Sequence, residues 1–418
     1  MTDFQVDTSM CVHCGLCLPS CPTYAVTGSE SESPRGRVVL LDEVRRDLGG
    51  GRVPDPGAWA ALDHCLDCRA CEAVCPAHVP VGHAVEELRA AAPGRRSPLL
   101  MAAALGSPSG VRRFRRWVKA AARPRVRRVL GAGRSLPAPW GPMLALASGA
   151  PAAPQVPEDS RDLSAGSGEV VRFFWGCVME GLYARTNRRS AELLRRVGYR
   201  VQVEDAPLCC GALARHQGDP EAARRWARSV IERFEESGAA MFVTNAAGCG
   251  AAFKEYDAWF RDDPAWAERA RAFARQVRDL VELVDPDRLP LARTEPDRPV
   301  TVHDACHLAH AQGIRDKVRA ILRHLGVPVV EMSEADLCCG SAGIYNLTHP
   351  EMARALRDRK VAGIPTGVSR VVTSNPGCML QIQSGLRESG LSIDAAHWVD
   401  VVYEALYEGE EAGLAAPR

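Results

Sequence analysis

The alternation of apolar and polar segments predicts strands and helices that follow one another in the second half of the chain. Val170 to Trp175 form an apolar run with the length of a buried strand, and a helical pattern follows it up to Gly198. Strand patterns at Arg200 to Val203 and Met241 to Thr244 are each followed by another helical pattern. Such alternation is typical of an α/β layer with a mostly parallel sheet.

The same order of patterns recurs about 129 positions later, so this half of the chain is an internal duplication. Strands are predicted at Val300 to Val302, Val327 to Val330 and Val371 to Thr373, with a helix from Ile314 to Leu325. In both copies, cysteines follow the predicted strands. We therefore expect each copy to gather them at the carboxyl edge of its sheet, where open α/β sheets place ligands.

The first 90 residues have a different pattern, with helix-compatible segments at Val38 to Asp47 and Ala58 to Leu62 between two cysteine runs. The sequence thus predicts an α+β multidomain protein: an N-terminal α-helical domain that carries the two cysteine runs, followed by a duplicated α/β domain with a Cys-Cys-Gly motif in each copy. The expected parts are the N-terminal domain (1–90), a connector (91–168), and the first and second Cys-Cys-Gly domains (169–290 and 291–418).

The connector is rich in Pro, Gly and Ala and has no acidic residue between Glu87 and Glu158. Short helices are plausible at Val111 to Ala122 and Arg125 to Leu130. Basic residues between positions 95 and 134 favour two interpretations: a surface for an acidic partner or an anionic membrane, or a solvated linker.

Composition narrows the class of protein. The 418 residues carry a formal net charge of +1, which gives no general attraction to nucleic acid. Met1 to Met10 show no signal-peptide pattern, and no apolar stretch is long enough to span a membrane. We expect a cytoplasmic protein, with peripheral contact to the inner face of the membrane as a further expectation, whose sixteen cysteines are metal ligands rather than disulfides.

Eight of these cysteines form two runs of the form C-x2-C-x2-C-x3-C-P, 54 positions apart. In two-cluster ferredoxins, three cysteines of such a run bind one [4Fe–4S] cluster and the fourth binds the other cluster. One cluster is therefore expected at Cys11, Cys14, Cys17 and Cys75, and the other at Cys65, Cys68, Cys71 and Cys21. The N-terminal domain is accordingly predicted to be an α-helical ferredoxin domain with two [4Fe–4S] clusters.

The other eight cysteines form two quartets: Cys177, Cys209, Cys210 and Cys249, and Cys306, Cys338, Cys339 and Cys378. Adjacent cysteines can reach two different irons, and Gly211 and Gly340 would permit a tight turn beside a bulky inorganic core. One or two further Fe–S clusters are expected here. Zinc, a redox-active vicinal disulfide and buried thiols stay open as alternatives.

No other catalytic motif is present: there is no glycine-rich dinucleotide fingerprint, P-loop or nucleophile elbow. We predict no catalytic residue on this chain. His303, His307 and His310 flank Cys306 and are candidates for hydrogen bonds that tune a cluster. His13, His64, His78 and His83 also lie near the cysteine runs, but eight cysteines already complete two clusters.

These motifs resemble the iron–sulfur subunit family of bacterial glycolate oxidase (glycolate dehydrogenase). The resemblance spans almost the whole chain and includes the motifs Cys11-Val12-His13-Cys14-Gly15-Leu16-Cys17, Cys65-Leu66-Asp67-Cys68-Arg69-Ala70-Cys71 and Leu337-Cys338-Cys339-Gly340-Ser341-Ala342-Gly343. It implies a subunit that takes electrons from FAD-binding partner subunits and passes them toward a quinone or similar acceptor, substrate oxidation itself occurring on the partner.

The iron–sulfur subunits of glycerol-3-phosphate dehydrogenase and the lactate-utilisation proteins share this architecture, and heterodisulfide reductase subunits share the Cys-Cys-Gly repeat. In the last of these, each motif ends in C-x2-C. Here Ala252 and Gln381 occupy the position of the final cysteine. The departure argues against transferring a five-thiol cluster or disulfide-reducing chemistry to this chain.

Overall fold

The structure is a computed structural model that describes residues 4–91, 113, 168–203, 208–290, 292 and 299–407. The connector helices predicted around 111–122 and 125–130 lie outside these residues, Arg113 apart, as does nearly all of the basic segment.

The N-terminal part is helical, which confirms the prediction of a helical ferredoxin domain. Its helices are α1 (Pro22–Thr27), α2 (Pro34–Gly49), α3 (Pro56–Asp63), α4 (Ala70–Ala73) and α5 (Val81–Ala91). Proline in the first turn and side-chain caps from Ser33 and Asp55 start α2 and α3. Leu41, Val44 and Leu88 pack between α2, α3 and α5 and form the core of this part.

The first Cys-Cys-Gly copy has a four-stranded parallel sheet, and its helices pack around it. Its strands are β1 (Val170–Phe174), β2 (Arg200–Val203), β3 (Met241–Thr244) and β4 (Val277–Asp279), in the order β2-β1-β3-β4. Its helices are α6 (Cys177–Leu182), α7 (Ala184–Arg196), α8 (Ala212–His216), α9 (Pro220–Ser237), α10 (Ala247–Lys254), α11 (Tyr256–Trp259), α12 (Ala267–Gln276) and α13 (Leu280–Leu283).

The second copy repeats this arrangement with a three-stranded parallel sheet of order β5-β6-β7. Its elements are β5 (Val300–Val302), α14 (Lys317–His324), α15 (Tyr345–Thr348), α16 (Pro350–Ala362), β6 (Arg370–Thr373), α17 (Pro376–Glu388), β7 (Asp394–His397) and α18 (Trp398–Tyr407), with a π-helical turn at His307–Ala311.

Two details differ from the prediction. The segment predicted as a strand at 327–330 makes only a single parallel bridge, Val329 to Val300, at the place that β2 occupies in the first copy. The predicted helix starting at Ile314 begins only at Lys317, because Gly313 has a left-handed φ of 69° and precedes an irregular turn. The predicted duplication and parallel pairing are otherwise confirmed.

One apolar core joins the two copies. Val171 and Phe173 of β1, Val302 of β5 and Trp398 of α18 belong to the same buried cluster. The carboxyl ends of β1, β3, β5 and β6 lead into Cys177, Cys249, Cys306 and Cys378 respectively. The shared core therefore fixes the two cysteine quartets relative to each other.

Candidate iron–sulfur sites

The two N-terminal cysteine runs adopt the same unusual backbone. His13 and Asp67, which are equivalent in the 54-residue repeat, both have φ of 54°, and the equivalent Gly15 and Arg69 have φ of 83° and 59°. Non-glycine residues seldom adopt this left-handed conformation, so surrounding contacts must hold it. Left-handed residues placed in this way form concavities of backbone N–H groups, as found around many Fe–S sites. The backbone of both loops fits a bound anionic cluster.

The fourth cysteine of each run lies beside the first three of the other run. One cavity is lined by Cys11, Cys14, Cys17 and Cys75, and the next is lined by Cys65, Cys68, Cys71 and Cys21. Cys71 lines both cavities, so the two are neighbours. The donor types and their grouping fit two [4Fe–4S] clusters.

The second of these cavities contains a buried cation. The Arg37 guanidinium is 2% exposed and lies 3.7 Å from the Cys21 Sγ, and it also forms an ion pair of 2.7 Å with Glu32. Burial raises the pKa of the Cys68 and Cys71 thiols well above their usual range. Without a metal these thiols would stay protonated, so metal binding must release their protons. Burial also raises the pKa of Cys65, and the positive charge of Arg37 opposes that shift by favouring the thiolate form.

The cysteines of each Cys-Cys-Gly quartet are in contact. In the first copy, the Cys209 thiol raises the pKa of Cys177, and the thiols of Cys209 and Cys249 raise the pKa of Cys210. In the second copy, the Cys338 thiol raises the pKa of Cys306, and the thiols of Cys338 and Cys378 both act on the pKa of Cys339. All of these cysteines are free thiols in the structure. Four soft donors within contact of one another can bind either an Fe–S cluster or a single soft metal ion.

Both quartets open into one cavity of about 230 Å³ between the copies. All eight cysteines line it, together with apolar side chains such as Val178, Leu213 and Ile344. Leu66 reaches it from the N-terminal domain, and His216 and His307 are its imidazole groups. The sequence repeat did not indicate that the two sites share one cavity, because nothing in the repeat specifies how the copies face each other.

Gly211 and Gly340 turn the chain after each cysteine pair, with φ of 79° and 84°. A Cβ at either position would lie within 2.9 Å of a backbone carbonyl, that of Ala223 or Ala353. The tight turn was expected beside an inorganic core. In the structure, the nearest atoms that a side chain here would meet belong to α9 and α16, the longer helices that come after α8 and α15.

A buried set of charges joins the ferredoxin domain to the first Cys-Cys-Gly copy. We call Asp67, Arg69, Glu86 and His216 the junction cluster. Arg69 Nε lies 3.0 Å from Asp67, and His216 Nδ1 lies 2.8 Å from Asp67 and 2.5 Å from Glu86. Burial opposes protonation of His216, but its two carboxylate partners raise its pKa to about 10. The imidazole is therefore charged at neutral pH and holds the second cysteine loop.

Sequence reasoning missed this cluster, since its members are separated by up to 149 positions and each looks like an ordinary surface charge. The junction cluster also explains the left-handed conformation of Asp67 and Arg69, because partners from two domains hold their side chains in place. The only sequence signal was two charged residues, Asp67 and Arg69, within a metal-binding loop.

The three histidines near Cys306 have different surroundings. His307 Nε2 donates to the Asp67 carbonyl at 2.9 Å, and His310 Nε2 donates to the Asp336 carbonyl at 3.1 Å. A ring nitrogen of His303 lies within 4.8 Å of the sulfurs of Cys339 and Cys378. Near the N-terminal runs, His64 pairs with Glu32 and His83 with Glu72 and Glu255.

Comparisons with known proteins agree with this arrangement. A family model described as a 4Fe-4S dicluster domain matches residues 7–79, and one described as a cysteine-rich domain matches residues 171–254 and again 300–383. The probable glycolate oxidase iron-sulfur subunit of Bacillus subtilis (strain 168) is 36% identical, covering 94% of this chain and 93% of its own.

The glycolate oxidase iron-sulfur subunit of Escherichia coli (strain K12) is 32% identical, over 95% of this chain and 93% of its own length. Lactate utilization protein A of Bacillus cereus (strain AH187) is 28% identical, over 56% of this chain and 98% of its own. Among the helices that the structure describes, none is long and apolar enough to cross a membrane.

Proposed function

The chain belongs to the glycolate oxidase iron–sulfur subunit family, and we propose that it carries electrons from FAD-binding subunits of a glycolate (2-hydroxy-acid) dehydrogenase to a quinone-type acceptor. It is an iron–sulfur electron-transfer subunit of an oxidoreductase. The observation that carries the finer proposal is the row of three cysteine-lined cavities, in which each cavity shares a lining residue with the next.

We assign the ligands by these cavities: Cys11, Cys14, Cys17 and Cys75 to a first [4Fe–4S] cluster, and Cys65, Cys68, Cys71 and Cys21 to a second. The quartets at Cys177, Cys209, Cys210 and Cys249 and at Cys306, Cys338, Cys339 and Cys378 are proposed to hold one or two further Fe–S clusters. The same proposal divides the chain at residues 90, 168 and 290. When bound, such clusters supply one-electron transfer without proton or bond rearrangement in the protein.

Neighbouring side chains connect these sites in a fixed order. Cys71 lines the first and second cavities, and Leu66 lines the second cavity and the large central one. Cys68 and Cys338 belong to one buried cluster, with Cys306 packed against it. The order supported by these contacts is first cluster, second cluster, second Cys-Cys-Gly quartet.

Electron entry is proposed at the first cysteine loop. Cys14 is exposed, and it is surrounded by the exposed apolar side chains Met10 (56%), Val12 (79%) and Leu16 (60%). Exposed apolar groups of this size around a redox site are typical of an interaction surface. An FAD-binding subunit docked here would bring its flavin close to the first cluster, and substrate oxidation would take place on that partner.

The central cavity is the proposed site of electron exit. Its lining is largely apolar, which suits a quinone ring, and the imidazole of the charged His216 lies at its wall. We further propose that the basic segment 95–134 contacts an acidic partner or the inner face of an anionic membrane, since its charges are all of one sign.

The proposal is tested by anaerobic mixing of the purified chain with the FAD-binding subunits and glycolate. We expect a stable complex and glycolate-dependent bleaching of the Fe–S absorbance, with slower or no bleaching by lactate or glycerol 3-phosphate. A chain that binds no flavoprotein, or that reduces disulfides on its own, would refute the assignment.

A matched pair of variants locates the docking surface. Val12→Lys is expected to slow reduction by glycolate at least tenfold and to leave reduction by dithionite unchanged. Val53→Lys changes a side chain that is 92% exposed on the loop between α2 and α3, and it should leave both rates unchanged. Equal rates for the two variants would place electron entry elsewhere.

A further inference from the structure

We propose that His303 is a ligand of the second Cys-Cys-Gly site, so that this site binds an iron through an imidazole nitrogen as well as through thiolates. The inference rests on the proposed function only in taking the metal to be the iron of an Fe–S cluster. The inference gives the two copies different metal ligands, although their cysteine spacing is the same.

The position of His303 is that of a ligand. It follows β5 directly and is 1% exposed. One of its ring nitrogens, the Cys339 Sγ and the Cys378 Sγ all lie within 4.8 Å of one another. A small contraction of these three atoms around a metal would bring all of them to Fe–S and Fe–N bond lengths, which are close to those of zinc at about 2.0–2.3 Å.

Hydrogen bonding determines which ring nitrogen is available. His303 Nδ1 lies 3.1 Å from the carbonyl oxygen of Ala335. Because a carbonyl only accepts, Nδ1 carries the proton and Nε2 carries the lone pair of the neutral ring. Nε2 is buried and has no hydrogen-bond partner among the residues that the structure describes. Metal-binding histidines commonly donate their other N–H to a backbone carbonyl in this way, which fixes the ring and the tautomer.

The equivalent position of the first copy offers no such donor. The 129-residue offset that relates Cys177 to Cys306 relates Phe174 to His303. Phe174 packs against Phe242 and Phe253, with ring centroids 5.7 and 4.8 Å apart. An aromatic hydrocarbon at this position cannot bind a metal, so the copies differ in donor set at an equivalent place in the fold.

In the longer C-x2-C motif, a final cysteine follows three positions after Cys378. The residue at that position in this chain does not provide a substitute donor. Gln381 occupies it, and its amide donates to the Ala353 carbonyl at 3.0 Å and accepts from Asn346 at 3.1 Å. Both ends of the amide are thus engaged elsewhere. The extra donor of the second site comes instead from the end of β5.

An imidazole ligand has a definite consequence for the site. Compared with the fifth thiolate that the longer C-x2-C motif would supply, a neutral imidazole adds no negative charge to the metal, and imidazole-bound Fe–S centres have higher reduction potentials than all-thiolate ones. The second site would then have a higher potential than a five-thiolate site. This suits a site next to the second cluster that must draw electrons out of the ferredoxin domain.

The test uses the full chain, purified anaerobically with ⁵⁷Fe and either natural-abundance or ¹⁵N-labelled histidine. HYSCORE spectroscopy should detect a histidine nitrogen coupled to a paramagnetic cluster, and Mössbauer spectroscopy reads the same iron if the cluster is EPR-silent. In His303→Cys, a thiol keeps the metal bound, and we expect iron content to be retained while the nitrogen coupling and the corresponding Mössbauer component are lost. His303→Ala should lose the metal of this site.

His324→Ala is the matched control, because His324 lies in α14 of the same copy and bonds the Leu289 carbonyl at 3.3 Å rather than approaching a thiol. It should leave both spectra unchanged. The inference would be overturned if the iron-containing protein showed no histidine coupling, or if the coupling persisted in His303→Cys. Zinc in place of iron at this site would also overturn it. Failure of glycolate to reduce the chain would instead contradict the proposed function and leave these spectra as they are.

Discussion

Replacing Arg37 by methionine should lower the reduction potential of the cluster proposed at Cys21, Cys65, Cys68 and Cys71. The Arg37 guanidinium is buried and lies 3.7 Å from the Cys21 Sγ. Its charge stabilises the reduced cluster, which carries one more electron than the oxidised cluster. Methionine keeps most of the side-chain volume and removes only the charge and the donors.

The size of the effect follows from Coulomb's law. A unit charge about 4–8 Å from the added electron, at an effective dielectric constant of about 20, contributes about 2–4 kcal/mol. Since about 1.4 kcal/mol corresponds to about 59 mV for one electron, this amounts to about 90–180 mV. Glu32, paired with Arg37 at 2.7 Å, opposes part of that field. We therefore expect a net fall of about 50–100 mV.

The protein should tolerate the substitution. Glu32 keeps a second partner, because His64 Nδ1 lies 2.7 Å from its other carboxylate oxygen, and that hydrogen bond raises the pKa of His64. The imidazolium can therefore neutralise Glu32 when the guanidinium is gone.

The assay is an anaerobic redox titration monitored by EPR, in which the two N-terminal clusters are followed separately. Arg46→Met on the same helix is the control, because the Arg46 side chain is exposed and bonds only the Asp42 carbonyl. A potential that is unchanged or raised in Arg37→Met, with clusters intact, would refute the electrostatic reasoning and the assignment of Cys21 to this cluster.

Three further predictions concern ligands, pH and backbone. Cys75→Ser should damage the cluster built on the first cysteine run, and Cys21→Ser the cluster built on the second, as read by EPR. His216→Gln should lower the free energy of unfolding by about 3 kcal/mol at pH 7, measured by urea denaturation. Gly340→Ala should destabilise by about 2–4 kcal/mol more than Gly326→Ala, since both have left-handed φ but only the first added Cβ meets a backbone carbonyl.

The pH dependence of the histidine variant has a definite sign. The pKa of His216 is raised to about 10 from an ordinary value of 6.5, so its stabilisation is fully present below pH 6.5 and is lost as the pH rises toward 10. The difference between wild type and His216→Gln should shrink over that window. A difference that grows with pH would show that His216 is neutral.

For the cysteine variants, loss of the same cluster in Cys21→Ser and in Cys75→Ser would exclude the exchange of ligands between the two cysteine runs.

Spacing and periodicity were sufficient for the main features of the fold. A strict repeat of cysteines and apolar strands predicted the helical domain, the duplication and the parallel sheets, because local pattern and chain order largely determine such elements. β4 and β7 were missed. Neither Val277-Arg278-Asp279 nor Asp394-Ala395-Ala396-His397 contains a run of β-branched or aromatic residues, so no strand pattern marks them.

These sequence patterns do not predict contacts between segments that are distant along the chain. The junction cluster depends on how the ferredoxin domain sits on the first copy, and no local pattern encodes that. The histidines near Cys306 illustrate the same limit: three were equal candidates in sequence, and only the packing directs His307 and His310 to carbonyls and leaves His303 beside the thiols.

The most direct test of the central claim is an anaerobic determination of iron, acid-labile sulfide and zinc in the isolated chain, followed by EPR before and after dithionite. Two [4Fe–4S] clusters bound at adjoining sites predict about eight iron atoms or more per chain, and reduced signals broadened by magnetic interaction between the clusters. A chain that contains zinc or bare thiols, with no iron that dithionite can reduce, would contradict the account.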